Sequence, residues 1–181
     1  MKIYLHLAEG FEDIEAIATT DILRRAGFDV KLVSIMDSKE VLGAWGTKVT
    51  SDLSFDEVDY NTGDAIVLPG GGLGSENLQK HKGLLEKIKE YNEKKKWVCA
   101  ICAAPMVLGE AGVLEGKKAT CYPGCEEGLK GANVSTDRVC VDGNIITGKG
   151  PGATFEFALK IVESLSDINN VNKLKEEMFI K

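Results

Sequence analysis

Trp97-Val98-Cys99-Ala100-Ile101-Cys102-Ala103-Ala104-Pro105 decides how the rest of the chain is read. Residues 97–101 form an apolar run of strand length. Ala103–Ala111 reads as a short helix, and Cys102 stands at the join. The small residues Ala103 and Ala104 permit a tight turn. This is the layout of a nucleophile elbow with cysteine in the place of serine. A thiol there meets backbone N–H groups and a helix N-terminus, both of which favour thiolate. Alone, the segment fits a buried structural cysteine equally well.

Working outward, Ile3–Leu7, Phe28–Ser34 and Ala65–Leu68 read as further short apolar strands. They are separated by amphipathic helices expected over Phe11–Ala26 and Leu78–Lys95. Arg24 and Arg25 close the first helix and Gly27 caps it. Val41–Asp52 suggests a hairpin-like excursion. Val139–Val141 and Ile145–Thr147 flank the turn Asp142-Gly143-Asn144. Thr154–Leu165 and a charged tail read as helices. Nearly all-apolar strands alternating with helices imply an α/β fold, a parallel sheet covered on both faces. No repeat or linker divides residues 1–181, so one domain is expected. In such sheets sites lie beyond the carboxyl ends of the strands. Three segments should therefore converge: Ala8-Glu9-Gly10, Pro69 to Gly74, and Cys102-Ala103-Ala104.

Composition bounds the function. Of 181 residues, 44% are apolar and 28% charged, enough for a core without disulfides. Lys plus Arg number 22 against 28 Asp plus Glu, a net charge of −6. That balance disfavours nucleic acid and anionic membranes as partners. The run Lys94-Lys95-Lys96 suits a helix C-terminus. No 18-residue apolar stretch or signal-peptide pattern occurs, so a cytoplasmic protein is expected. Five cysteines in such a chain argue against a disulfide framework.

Pro69-Gly70-Gly71-Gly72-Leu73-Gly74 follows a strand and precedes a helix, so its amides can form an anion-binding concavity or simply a tight turn. It is no dinucleotide fingerprint, because the sixth position counted from Gly70 is Ser75. Of Glu9, Glu12, Asp13 and Glu15, one is placed to face the elbow, and spacing does not say which. Gly143 to Lys149 mimics a P-loop, but Gly150 stands where the magnesium-binding hydroxyl belongs. Cys99 shares thioredoxin spacing with Cys102 yet lies within a buried strand. His6 reads as a satisfied core residue and His81 as exposed. No zinc spacing exists, and no metal or cofactor is expected.

Four segments together resemble the ThiJ/PfpI superfamily, nearest its DJ-one branch of parkinsonism-associated deglycase-like proteins. They are Ala8 to Glu15, Val67 to Gly71, Ala100 to Ala103, and Gly150 to Ala158. The likeness covers essentially the whole chain. It implies a flavodoxin-like three-layer sandwich and a homodimer. It makes Cys102 the oxidation-prone nucleophile and Glu15 the protonated carboxyl beside it. Gly71 and Ala103 would supply oxyanion-hole amides, with Gly70 and Tyr122 near the site. It implies glyoxalase or deglycase chemistry on methylglyoxal or another small aldehyde, with Glu15 shuttling the proton. Non-enzymatic oxidative-stress sensing or chaperone action through Cys102 is the alternative. Tyr122 occupies the position where many members carry a histidine. Without that imidazole, peptide or amide hydrolysis lacks its usual base.

Two physical expectations accompany this reading. The elbow should lower the Cys102 pKa while Glu15 keeps a proton, the pair titrating as a unit. The first helix, apolar on more than one side, should use Ile14, Ile17 and Ala18 in a twofold contact. Ile14, Ala18 and Ile22 would line one of its faces.

Overall fold

A computed structural model describes all residues, 1–181. Eleven strands and six α-helices follow in order. They are β1 (Lys2–Leu7), α1 (Asp13–Arg25), β2 (Asp29–Ser34), β3 (Glu40–Leu42), β4 (Lys48–Thr50), β5 (Leu53–Ser54), β6 (Ala65–Leu68), α2 (Gly72–Lys80) and α3 (Lys82–Glu93). Then come β7 (Trp97–Ile101), α4 (Pro105–Glu110), β8 (Lys118–Ala119), β9 (Asn133–Val134), β10 (Val139–Asp142), β11 (Ile145–Gly148), α5 (Thr154–Leu165) and α6 (Ile168–Glu177). The main sheet has the order β10-β11-β7-β6-β1-β2-β5. All its pairings are parallel except β10 with β11.

Side-chain alternation along the strands builds two apolar layers. Ile3, Leu5, Leu7, Val67 and Ile101 face Ile22, Leu23, Phe157, Ile161 and Leu174 of α1, α5 and α6. Tyr4, Ile66, Leu68, Val98 and Ala100 face Leu78, Leu84, Ile88, Tyr91 and Val107 of α2, α3 and α4. Each buried aliphatic side chain contributes roughly 1.5–3 kcal/mol, which makes a parallel sheet with two covered faces stable. The result is the expected three-layer α/β sandwich.

Four details differ from the expectation. The helix expected over Leu78–Lys95 starts earlier and is two helices. His81 breaks it by turning its Nδ1 to accept the Leu84 N–H at 3.0 Å, capping α3. His81 is half-buried against the Phe55 ring, with centroids 4.4 Å apart, rather than exposed. The helix after the elbow is short, spanning Pro105–Glu110 only. On α1, Ile22 is fully buried while Ile14 and Ile17 are 54% and 45% exposed. The helix therefore turns Ile14, Ile17 and half-buried Ala18 outward, and does not align Ile14, Ala18 and Ile22 on a common face.

The excursion after β2 is the β3–β4 hairpin, with Val41 opposite Val49. Asp13 ties it to α1 by accepting the N–H groups of Trp45 and Thr47, each at 3.1 Å. The P-loop-like stretch is β11, a central strand paired with β7 from Ile145↔Val98 to Gly148↔Ile101. It is extended, and no phosphate-wrapping loop is formed there. No helix is long and apolar enough to cross a membrane.

Candidate active site

The three segments leaving β1, β6 and β7 do meet. The Glu12 N–H donates to the Gly70 carbonyl at 2.9 Å, and the Gly74 N–H to the Gly10 carbonyl at 3.2 Å. Gly71 holds φ at +96°, a conformation open to glycine at little cost. A Cβ on Gly70 would stand 2.5 Å from the Cys102 Cβ and 2.8 Å from Glu15 Oε2. The glycine loop is thus pressed directly onto the elbow, closer than a plain tight turn requires.

Cys102 has φ of +66°, a region where a residue with a Cβ is rarely found. That strain is held by its neighbours. Its N–H donates to the Gly148 carbonyl at 2.9 Å, and its carbonyl accepts the Tyr122 N–H at 2.8 Å. The Ala104 N–H closes the turn onto the Ile101 carbonyl at 3.0 Å. A positive-φ cysteine persists only where its surroundings over-determine it in this way. The residue is 8% exposed.

The structure answers which acid faces the elbow. Glu9 is exposed, and Asp13 binds the hairpin. Glu12 caps α1, its Oε2 accepting the Glu15 N–H at 2.8 Å. That cap turns Glu15 beneath the glycine loop, where it is fully buried. Glu15 Oε2 accepts the Gly70 N–H at 2.7 Å, while Oε1 has no hydrogen-bond partner. Burial raises the Glu15 pKa to about 7, opposed by the Gly70 amide, with smaller effects from Glu12 and the Cys102 thiol.

The thiol departs from expectation. Burial pushes Cys102 up to about 12, and the Glu15 charge adds to the rise. The amides of Gly71 and Ala103 pull it down in part. The expected lowering is outweighed for two physical reasons. Burial penalises the charged thiolate most strongly. The neighbouring carboxylate then repels a second negative charge. The pair therefore carries a single negative charge between the two transitions. When the proton sits on Glu15, its repulsion vanishes and the charge rests on sulfur, facing the Gly71 and Ala103 amides.

Tyr122 lies beside the elbow as expected, 49% exposed, its ring over Gly150. Together with Arg138, Lys149 and Pro151 it lines a shallow cavity of about 150 Å³. Arg138 and Lys149 were not singled out from the sequence, since their convergence depends on β10 and β11 pairing. Both histidines sit around Phe55 and Tyr60. Cys99 is sealed inside β7, and burial raises its thiol strongly.

The chain is similar to known proteins over most of its length. A model of the DJ-1/PfpI family matches residues 1–164. Protein DJ-1 homolog B of Arabidopsis thaliana is 40% identical over 90% of this chain, which spans 37% of that relative's length. A protein of Pyrococcus abyssi named a deglycase is 34% identical over 91% of this chain and 99% of its own. Among solved structures, oxidized Toxoplasma gondii DJ-1 superposes with a TM-score of 0.94. It has 34% identity and covers 98% of this chain and 97% of its own.

Proposed function

The chain belongs to the DJ-1/PfpI family, and from that premise we propose that it is a Cys102-dependent glyoxalase- or deglycase-like enzyme acting on small 2-oxoaldehydes such as methylglyoxal. The observation that carries this reading is Cys102 held at positive φ beside a buried carboxyl whose pKa is raised to about 7. A group titrating near neutrality both gives and takes a proton efficiently.

In the proposed reaction the Cys102 sulfur adds to the aldehyde carbon. The Gly71 and Ala103 amides stabilise the oxyanion, and proton uptake gives a hemithioacetal. Glu15 then carries the C1 proton to C2 while the C1 hydroxyl proton passes to the C2 oxygen, converting the adduct to a lactoyl thioester. Water attacks the thioester, releasing lactate and restoring the thiol. Without an imidazole the thiol leaves slowly, so turnover is low. Lactate formation from methylglyoxal should fall to background in Cys102→Ser. Equal lactate from that variant would rule the mechanism out.

A second reading is redox sensing, in which peroxide oxidises Cys102 to a sulfinate held by the same amides. Its support is the relative described as oxidized. Intact mass after mild peroxide would show two oxygens on Cys102 alone, with no lactate formed at any aldehyde concentration.

We further propose a twofold dimer through α1. Ile14 and Ile17 are exposed beside Ala18, and Trp45 on the adjoining hairpin is 82% exposed. Glu15 belongs to the same helix, which would place the site near the interface. Sedimentation velocity should give about twice 19.6 kDa, and Ile17→Glu should halve it. A single species at the chain mass would exclude the dimer.

A further inference from the structure

Cys121 and Cys125 have no part in the chemistry above, yet they sit against it. They flank Tyr122-Pro123-Gly124, a turn closed by the Cys125 N–H donating to the Tyr122 carbonyl at 3.0 Å. Gly124 takes φ of +94°, a turn conformation open to glycine at little cost. Cys121 is buried in the apolar layer that contains Val107 and Leu129, and Cys125 packs partly buried against the same layer. The two thiols stand four positions apart in the chain and pack against the same layer. The turn between them presents Tyr122, whose N–H holds the Cys102 carbonyl.

We infer that Cys121 and Cys125 form a second redox centre, an oxidisable dithiol that closes to a disulfide with a peroxide oxidant and acts on Cys102 through Tyr122. Half-buried Cys125 is the thiol that meets the oxidant first. Peroxide oxidises it to a sulfenic acid and is itself reduced to water. The Cys121 sulfur then attacks the sulfenic sulfur, the S–O bond breaks, and a second water leaves. Overall two thiols and one peroxide give one disulfide and two waters. A dithiol reductant reverses the change. The closed five-residue loop fixes Tyr122, and with it the backbone that positions the elbow.

Burial raises both thiols, with Glu126 adding to the rise and Lys149 opposing it at Cys121. Closure is therefore slow near neutrality and accelerates with pH. The test uses full-length Cys102→Ser, which removes the catalytic thiol and leaves the proposed enzyme reaction out of the measurement. Hydrogen peroxide at pH 8.5 should lower the intact mass by two hydrogens, with proteolytic mapping joining Cys121 to Cys125. The loss should disappear in Cys102→Ser/Cys125→Ala. No mass loss, or a bridge involving Cys99 or Cys140, would overturn the dithiol. In the wild type, closed to the disulfide with a small-molecule disulfide oxidant in place of peroxide and with Cys102 confirmed as a free thiol by intact mass, the disulfide form should show at least a threefold change in Cys102 alkylation rate. An unchanged rate would overturn the coupling to the elbow.

Discussion

Glu15 and His6 are both fully buried, and each leaves one side-chain atom without a hydrogen bond, Oε1 and Nδ1 respectively. They lie in opposite layers of the sandwich. His6 has its Nε2 2.8 Å from the Tyr60 hydroxyl and stacks on that ring, enclosed by aromatic neighbours. Burial lowers its pKa to about 3, with His81 adding and a backbone hydrogen bond opposing. Glu15 instead faces a thiol and an amide-lined loop, and burial raises its pKa to about 7. Desolvation acts on both in the same sense, favouring the neutral form. What separates them is company: a neutral acid beside a sulfur has a proton to use, while a neutral imidazole among phenol rings has no reacting atom to serve. A buried ionisable group is thus evidence for a site only together with what it touches.

The largest effect that tests this contrast is acid sensitivity through His6. Its folded pKa lies below the unfolded value of 6.5. The stability it permits is complete above pH 6.5 and is lost progressively down to about pH 3. At about 1.4 kcal/mol per unit, the loss approaches ~5 kcal/mol. Urea unfolding of wild type and His6→Asn from pH 7 to 4 should show a slope of stability against pH that is lower in the variant by about one proton, so that between pH 4.5 and 6.5 the variant loses stability as pH rises while wild type stays nearly flat. Equal slopes would mean that His6 is solvated in the native state.

The next effect has the opposite sign. Glu15 has a folded pKa above its ordinary 4.5, so its contribution is complete below pH 4.5 and is lost as pH rises through about 7. The cost above neutrality is about 3 kcal/mol. Glu15→Gln should therefore be more stable than wild type at pH 8 and indistinguishable at pH 4, while losing lactate production. Between pH 4.5 and 6.5 the His6 and Glu15 slopes cancel, because one proton is gained as the other is lost. Each single variant should unmask the other's slope there, a sharper check than either end of the range.

The sheet was legible because parallel strands with two covered faces must be apolar throughout, and 97–101 or 65–68 can be little else. The elbow was legible because Cys102 sits where that apolar run meets small residues. The α2–α3 break was not, since it depends on His81 spending its imidazole on the Leu84 amide, and no Gly or Pro announces it before Gly83. Nor did spacing choose among Glu9, Glu12, Asp13 and Glu15. The choice is made by the Glu12 cap and the Asp13 link to a hairpin distant in sequence. The direction of the Cys102 shift was missed for a related reason. Sequence shows the favourable amides, but the carboxylate and the burial that oppose them arise only once β1, β6 and β7 lie together.

The smallest effect concerns an imidazole placed on the open side of the elbow, the counterpart of the sealed one at His6. Tyr122 is half exposed, and its backbone is fixed by its own N–H to the Cys102 carbonyl. A side-chain exchange there has a set position and little packing to lose. Tyr122→His should leave stability within about 0.5 kcal/mol. An exposed imidazole keeps a pKa near the ordinary value of about 6.5, so it is available as a base at neutral pH where His6 is not. General acid–base help of this kind reaches roughly 10²–10⁴-fold when fully positioned. At a half-exposed side chain a severalfold gain in kcat is expected. The gain should appear as pH rises through about 6.5, with KM unchanged. A gain already present at pH 5 would show that the new side chain acts by binding aldehyde, and the contrast between open and sealed imidazoles would then lose its chemical basis.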